Sequence, residues 1–146
     1  MLEFAHQEHI KSYYFDSRNQ TFELTPLTQQ EEADVCVIGA GFFGLSAALE
    51  LAEKGKKVIV LEGARVGFGA SGRSGGQAIN GFEEGIDEYI AQMGFDKAKK
   101  LWDMSLEAID IIDERIAKYG IQCDWKKGYA TLALNERRMD DLIEME

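Results

Sequence analysis

The sequence predicts an α/β fold that begins with a strand, a helix and a second strand. Three observations support this: residues 34–38 and 57–61 are short, mostly apolar runs, and residues 43–54 between them have helical spacing. Short apolar runs are typical of parallel strands buried on both faces. Three segments within about 30 residues form a βαβ unit, whose crossover is expected to be right-handed.

The remaining elements follow from periodicity and glycine positions. Leu45, Ala48, Leu49 and Ala52 define the first helix, which Gly55 should end. Residues 95–119 predict a long amphipathic helix ended by Gly120. Its apolar stripe comprises Trp102, Ser105, Ile109, Ile112, Ile116 and Tyr119. The stripe is too short for a coiled coil, so packing within the protein is favoured. Residues 128–134 alternate like a half-buried strand, and Asn135 should cap a last helix running into Glu146.

Length, charge and composition exclude several classes of function. The chain has 146 residues, 45% of them apolar, and a net charge of -10 from 26 Asp/Glu against 16 Lys/Arg. Such a length fits one domain, or one domain and part of a second. The acidic balance and the lack of a basic run make nucleic acid an improbable partner. No signal peptide or membrane span is expected, and Cys36 and Cys123 are interpreted as core thiols of a cytoplasmic protein.

A dinucleotide fingerprint follows the first strand. Residues 39–44, Gly-Ala-Gly-Phe-Phe-Gly, match G-x-G-x-x-G, and Glu62 stands 18 positions after Gly44, at the end of the second strand. Gly39 would permit the turn, Gly41 would let a pyrophosphate approach, and Gly44 would let the helix pack closely on the sheet. Glu62 could accept two ribose hydroxyls, and its charge disfavours NADP. A chance glycine turn is the competing interpretation.

A glycine-rich segment comes next, since 12 of the 15 glycines lie between Gly39 and Gly85. A flexible linker would have this composition, yet residues 63–85 also carry large side chains such as Arg65, Phe68 and Arg73. Repeated glycines form anion-binding concavities, to which Arg73 adds a guanidinium. Residues 67–77 are called the glycine-rich loop below.

The glycine-rich loop, Gly-Phe-Gly-Ala-Ser-Gly-Arg-Ser-Gly-Gly-Gln, together with the fingerprint, resembles the D-amino-acid-oxidase-like (DAO) family of FAD-dependent oxidoreductases. The resemblance implies the N-terminal part of a Rossmann-like FAD-binding domain, with the start of an α+β substrate domain. It implies an arm over residues 1–33, an FAD-binding unit over 34–94 and the beginning of the substrate domain over 95–146. It favours FAD over NAD. The residues expected to bind FAD are Gly39, Ala40, Gly41, Phe43, Gly44, Glu62, Gly63, Arg65, Ala70, Ser71, Gly72, Arg73, Ser74, Gly75, Gly76 and Gln77.

The resemblance also implies oxidation of an amine or amino acid, with an amine of the gamma-glutamylputrescine type as the expected substrate. A hydride equivalent would pass to the flavin, and water would hydrolyse the resulting imine. No acid/base pair or metal site stands out, and His6 and His9 are interpreted as solvated residues of the arm. The catalytic residues are therefore unassigned. We expect this chain alone to be inactive and to associate with itself or with a missing C-terminal half. The alternatives are an NAD-binding module without catalysis and an inactive fragment.

Overall fold

The computed structural model describes residues 8–21 and 24–143, which divide into two compact units between Gln77 and Ala78. In the first unit the elements are α1 (Tyr13–Asp16), β1 (Val35–Ile38), α2 (Phe42–Glu53), β2 (Val58–Leu61) and a 3-10 turn (Ala70–Arg73). In the second they are α3 (Ile86–Met93), α4 (Phe95–Tyr119), a 3-10 turn (Glu136–Arg138) and α5 (Met139–Ile143).

The predicted strand, helix and strand are confirmed, with ends within one residue of expectation. β1 and β2 pair in parallel, with Val35 opposite Val58 and Ile38 opposite Leu61. The Gly39 N–H donates to the Leu61 carbonyl oxygen at 2.7 Å, which extends the ladder one step beyond β1. The two carboxyl ends therefore lie side by side, and the loops that follow them start from the same edge.

Burial of β1 on both faces was predicted and is wrong for the described residues. Side chains alternate along β1, so that Val35 and Val37 are half-buried while Cys36 and Ile38 are exposed. The exposed fraction of Ile38 reaches 86%. The reason is that α2 contacts both strands and covers only one face of a two-stranded sheet. The interpretation of Cys36 as a core thiol is therefore wrong, and Cys123 is exposed as well.

Within the first unit, the N-terminal arm packs through aromatic side chains. α1 is capped by Ser12, whose Oγ accepts from the Phe15 N–H at 3.2 Å, and α1 contacts the 3-10 turn Ala70–Arg73. The His9 ring stacks on Phe15 at a centroid distance of 4.8 Å and approaches Phe68 at 5.7 Å. His9 is thus half-buried, contrary to the expected solvated position. His6 lies outside the described residues.

The second unit consists of helices. α4 has the predicted bounds and ends at Gly120, which adopts the left-handed conformation with φ 60°. α3, which was not expected from the sequence, contacts α4, and Ala98 and Ser105 of α4 are buried. Of the α4 stripe, Ser105 is buried and Ile109 and Ile116 are half-buried. Trp102, Ile112 and Tyr119 are exposed, so the expected packing holds for only part of the stripe.

The last segment differs from its prediction. Residues 128–134 form no strand, because no described segment pairs with them. Asn135 does act as a cap, since its Oδ1 accepts from the Arg138 N–H at 3.2 Å. The helix after it is broken into a 3-10 turn and α5, and residues 144–146 lie outside the described part. Among the described helices, none combines the length and apolar character needed to cross a bilayer.

Asp113 ties the segment after α4 back to that helix. Its Oδ1 accepts from Trp125 Nε1 at 2.8 Å, and its Oδ2 accepts from Lys127 Nζ at 2.6 Å. The hydrogen bonds from Lys127 and then Trp125 lower the pKa of Asp113 below its ordinary value of 3.8. The bond to Asp113 likewise raises the pKa of Lys127 above 10.5.

We expect these contacts to persist above pH 3.8 and to be lost as the pH falls through the lowered pKa of Asp113, because only the carboxylate accepts from both partners. Trp125 fluorescence in a Trp102→Phe background would report the loss as an acid transition. Asp113→Asn removes this ionisable group, so the transition should disappear. An identical transition in Asp113→Asn would contradict the assignment.

Candidate functional site

The turn from β1 into α2 brings the fingerprint glycines together. Gly39 has φ +99°, a conformation that favours glycine. A Cβ on Gly44 would lie 2.0 Å from the Gly39 carbonyl oxygen, so α2 packs against the turn as closely as a glycine allows. Gly41 is the residue before α2 and has no side chain with which to cap it. Gly41 lines a cavity, so the start of α2 borders a space in which the helix dipole favours an anion.

Glu62 links the loops that follow β1 and β2. Its Oε2 accepts from the Ala40 N–H at 2.7 Å, and its Oε1 accepts from the Ala64 N–H at 2.9 Å. Ala40 is buried, whereas the Glu62 side chain is half-buried and lines a cavity. A carboxylate oxygen can accept a second hydrogen bond, so both oxygens keep acceptor capacity for a ligand.

The glycine-rich loop is held against the same turn. The Gly67 N–H donates to the Ala40 carbonyl oxygen at 2.9 Å, and Ser71 Oγ accepts from the Phe42 N–H at 3.0 Å. A Cβ on Gly72 would lie 2.1 Å from the Gly67 carbonyl oxygen, which explains a glycine at that position. The linker interpretation is therefore wrong for residues 67–77, because the loop folds on itself and bonds to the fingerprint.

A cavity of about 340 Å³ opens between the fingerprint and the glycine-rich loop. It is lined by Gly41, Glu62, Gly63, Ala64, Gly67, Phe68, Gly69 and Ser71. Glu62 is the one titratable side chain among these lining residues. The cavity therefore offers a hydroxyl and a carboxylate among glycine residues, which suit binding of a polar ligand rather than acid/base exchange.

Positive charge borders this region of the first unit. The Arg73 guanidinium lies 5.7 Å from the centroid of the Phe68 ring, on which His9 also packs. Desolvation lowers the pKa of His9, and the positive charges of Arg65, Arg18 and Arg73 lower it further. The lowered pKa favours the neutral imidazole of His9, and the Arg73 guanidinium places positive charge beside Phe68, which lines the cavity.

The structure brings together part of the predicted site. Of the residues expected to bind a cofactor, Gly41, Glu62, Gly63 and Ser71 line the cavity. Gly39, Ala40, Phe43 and Gly44 lie in the turn and the start of α2, and the Phe43 side chain is 88% exposed. The others, Arg65, Ala70, Gly72, Arg73, Ser74, Gly75, Gly76 and Gln77, precede the glycine-rich loop or belong to it. Ala64, Gly67, Phe68 and Gly69 line the cavity without having been predicted. Gly67 and Gly69 belong to the motif quoted for the loop, which could have indicated them.

No metal centre is found in the described ranges, where no three His, Cys, Asp or Glu side chains are grouped to hold an ion.

The sequence profile described as FAD dependent oxidoreductase (DAO) matches residues 34–146. This chain belongs to the DAO family. Because the family is FAD dependent, the cofactor is FAD. The DAO match covers β1, α2, β2, the glycine-rich loop and the whole second unit.

Named relatives are similar over nearly the whole chain. The chain is 88% identical to a probable oxidoreductase OrdL of Haemophilus influenzae over 146 residues, which are 100% of this chain and 34% of that protein. It is 44% identical to gamma-glutamylputrescine oxidoreductase of Escherichia coli over 139 residues, which are 95% of this chain and 33% of that protein. The chain thus spans about a third of the length of these relatives. No solved structure matches it significantly.

The residues of this DAO-family chain fit FAD. The glycine-lined cavity beside the start of α2 suits a diphosphate, and the remaining acceptor capacity of the Glu62 carboxylate suits ribose hydroxyls. The Arg73 guanidinium, beside the Phe68 ring that lines the cavity, adds positive charge nearby.

Proposed function

We propose that this chain forms the dinucleotide-binding part of an FAD-dependent enzyme that oxidises an amine or amino acid. The observation that carries the proposal is the cavity in which the start of α2, Glu62 and Ser71 converge. The name of the relative at 44% identity supports a substrate of the gamma-glutamylputrescine type. Bound FAD would take up the hydride equivalent from the carbon that bears the nitrogen.

The chain's own residues would bind and orient the cofactor. Glu62 holds the Ala40 and Ala64 N–H groups and would accept from the ribose, while the N–H groups at the start of α2 would receive the diphosphate. The glycine-rich loop would follow the cofactor away from α2. No residue of the cavity is placed to exchange a proton with an amine, so we propose no catalytic residue.

We further propose a Rossmann-like assignment for residues 34–94, the arm for 1–33 and the start of a substrate domain for 95–146. Parallel β1 and β2 around α2 support the first of these. A cytoplasmic location is proposed because Cys36 and Cys123 are both free thiols. The exposed side chains of Ile38 and Phe43 support association with a second copy or with the rest of a longer protein.

The proposal is tested by cofactor binding followed by reduction. The protein should bind FAD and leave NAD unbound, and FAD in a protein of the relatives' length should bleach under anaerobic conditions when gamma-glutamylputrescine is added. The 146-residue chain should bind FAD without peroxide release. The matched control is Gly41→Val, whose side chain would displace the Ser71 hydroxyl at the edge of the cavity, obstruct the approach of the diphosphate and abolish FAD binding.

Protection of the protein by NAD with no FAD bound would instead support a binding module without catalysis. Normal flavination of Gly41→Val would show that the fingerprint serves only the fold. Peroxide release by the 146-residue chain with the amine would contradict its expected inactivity.

A further inference from the structure

The start of α2 is capped from a distant part of the chain. Gly41, the residue before α2, has no side chain to offer, and the Ser71 hydroxyl instead accepts from the Phe42 N–H at 3.0 Å. The two partners are 29 positions apart in the sequence. A serine usually caps a helix from the N-cap position, directly before the helix, and such a contact joins neighbouring residues only. The contact from Ser71 instead fixes the glycine-rich loop to α2.

The contact between Ser71 and Phe42 leaves little room for a side chain at Gly41. Its φ of -91° and ψ of -174° are extended backbone that any residue adopts. Its conformation therefore gives no reason for glycine. A Cβ at this position would lie 2.8 Å from Ser71 Oγ, and the next neighbour, Ser71 Cβ, would be at 3.7 Å, an ordinary contact. The Ser71 hydroxyl is thus the one described atom that a Cβ would displace.

The Ser71 hydroxyl can form a further hydrogen bond besides the one with Phe42. A serine hydroxyl has two acceptor lone pairs and one donor hydrogen. The Phe42 N–H uses one lone pair, so the hydrogen stays available, and Ser71 lines the cavity. An anion at the start of α2 could accept that hydrogen without breaking the contact with Phe42.

We propose that Ser71 is a positioning residue that caps α2 from the glycine-rich loop, and that Gly41 is a glycine in order to admit the Ser71 hydroxyl. The start of α2 and the glycine-rich loop, which would both contact the cofactor diphosphate, are then already held in position before the cofactor binds. Ordering them in advance removes an entropic cost from binding. The binding part of this inference rests on the proposed function, whereas the capping part does not.

The first experiment is a double-mutant cycle on the cofactor-free protein, with Gly41→Ala, Ser71→Ala and the double variant. Gly41→Ala should lower the melting temperature by roughly 3–6 °C, the scale for a contact of this kind in a chain of this size. In the Ser71→Ala background the same substitution should cost less than half as much, because the hydroxyl that it meets is gone. If Gly41→Ala does not fold, a folded double variant shows the same rescue.

Asn135→Ala is the matched control, because Asn135 also caps a helical turn through its side chain, in the second unit. The effect of Gly41→Ala should add to that of Asn135→Ala without coupling. Equal effects of Gly41→Ala in the wild-type and Ser71→Ala backgrounds would overturn the proposal.

A second measurement uses Ser71→Ala alone. The Phe42 amide resonance should shift in the cofactor-free protein, and affinity for ADP should fall on the order of tenfold, as for one hydrogen bond to a charged group. Asn135→Ala should leave ADP affinity within about twofold. An unchanged Phe42 resonance would overturn the capping role, and tighter ADP binding by Ser71→Ala would show that the hydroxyl obstructs the diphosphate. If the wild type binds neither ADP nor FAD, the proposed function fails, while the cycle and the Phe42 resonance still decide the capping role.

Discussion

Gly44→Ala should destabilise the first unit by roughly 2–3 kcal/mol, the cost of forcing extra volume into a closely packed contact. The added Cβ would lie 2.0 Å from the Gly39 carbonyl oxygen and 3.3 Å from Val37 Cγ1. Because the first neighbour is backbone, α2 would have to move away from the turn. The sign of this change in stability is informative, because replacing glycine by alanine inside a helix stabilises a protein by about 1 kcal/mol when no neighbouring atom clashes with the new Cβ.

Urea denaturation measures this effect, with Gly85→Ala as the control. Gly85 has φ -66° and ψ 157°, extended backbone that any residue adopts, and no atom lies within 4 Å of the position that an alanine Cβ would take there. The free energy of unfolding of Gly85→Ala should therefore change by less than about 1 kcal/mol. A Gly44→Ala protein as stable as the wild type would show that α2 does not pack so closely on the turn.

Much of the first unit follows from local sequence signals. β1, α2 and β2 were predicted to within a residue because apolar runs, helical spacing and glycine at Gly39 and Gly55 act over a few positions. α4 was predicted for the same reason. α3 was missed because it is short, from Ile86 to Met93, and follows a stretch rich in glycine that obscures its beginning.

The errors come from effects that depend on a partner segment. The alternation of residues 128–134 is typical of a strand, but a strand exists only when another segment pairs with it. The exposed positions of Cys36 and Ile38 have the same origin, because burial of a sheet's second face needs a layer that the described residues do not supply.

In the candidate site, too, features set by local sequence were predicted, whereas a contact between distant segments was not. The fingerprint identified Gly39, Gly41, Gly44 and Glu62 because their spacing along the chain is fixed by a strand, a turn and a helix. The bond between Ser71 and the Phe42 N–H joins positions 29 residues apart and became visible only in the structure. No local pattern indicates this bond, because serine is a common residue in glycine-rich loops.

Glu62→Ala should weaken FAD binding by roughly 1.5–3 kcal/mol, the scale for hydrogen bonds to a charged group. The carboxylate bonds the Ala40 and Ala64 N–H groups at 2.7 and 2.9 Å, and we propose that it also accepts from the ribose. Removing it would cost both the ribose contact and the link between the loops. Glu62→Gln should bind FAD nearly as weakly, because its amide nitrogen cannot accept from one of the two N–H groups.

Ribose recognition can be separated from the structural role of Glu62 by comparing ADP with 2'-deoxy-ADP. The wild type should bind 2'-deoxy-ADP about tenfold more weakly than ADP, since the deoxy sugar cannot donate to the carboxylate. Glu62→Ala should bind the two nucleotides equally, because the acceptor that distinguishes them is gone. A variant that keeps the wild-type discrimination while losing affinity for both would show that Glu62 only ties the loops together. Equal binding of the two nucleotides by the wild type would likewise remove Glu62 from ribose recognition.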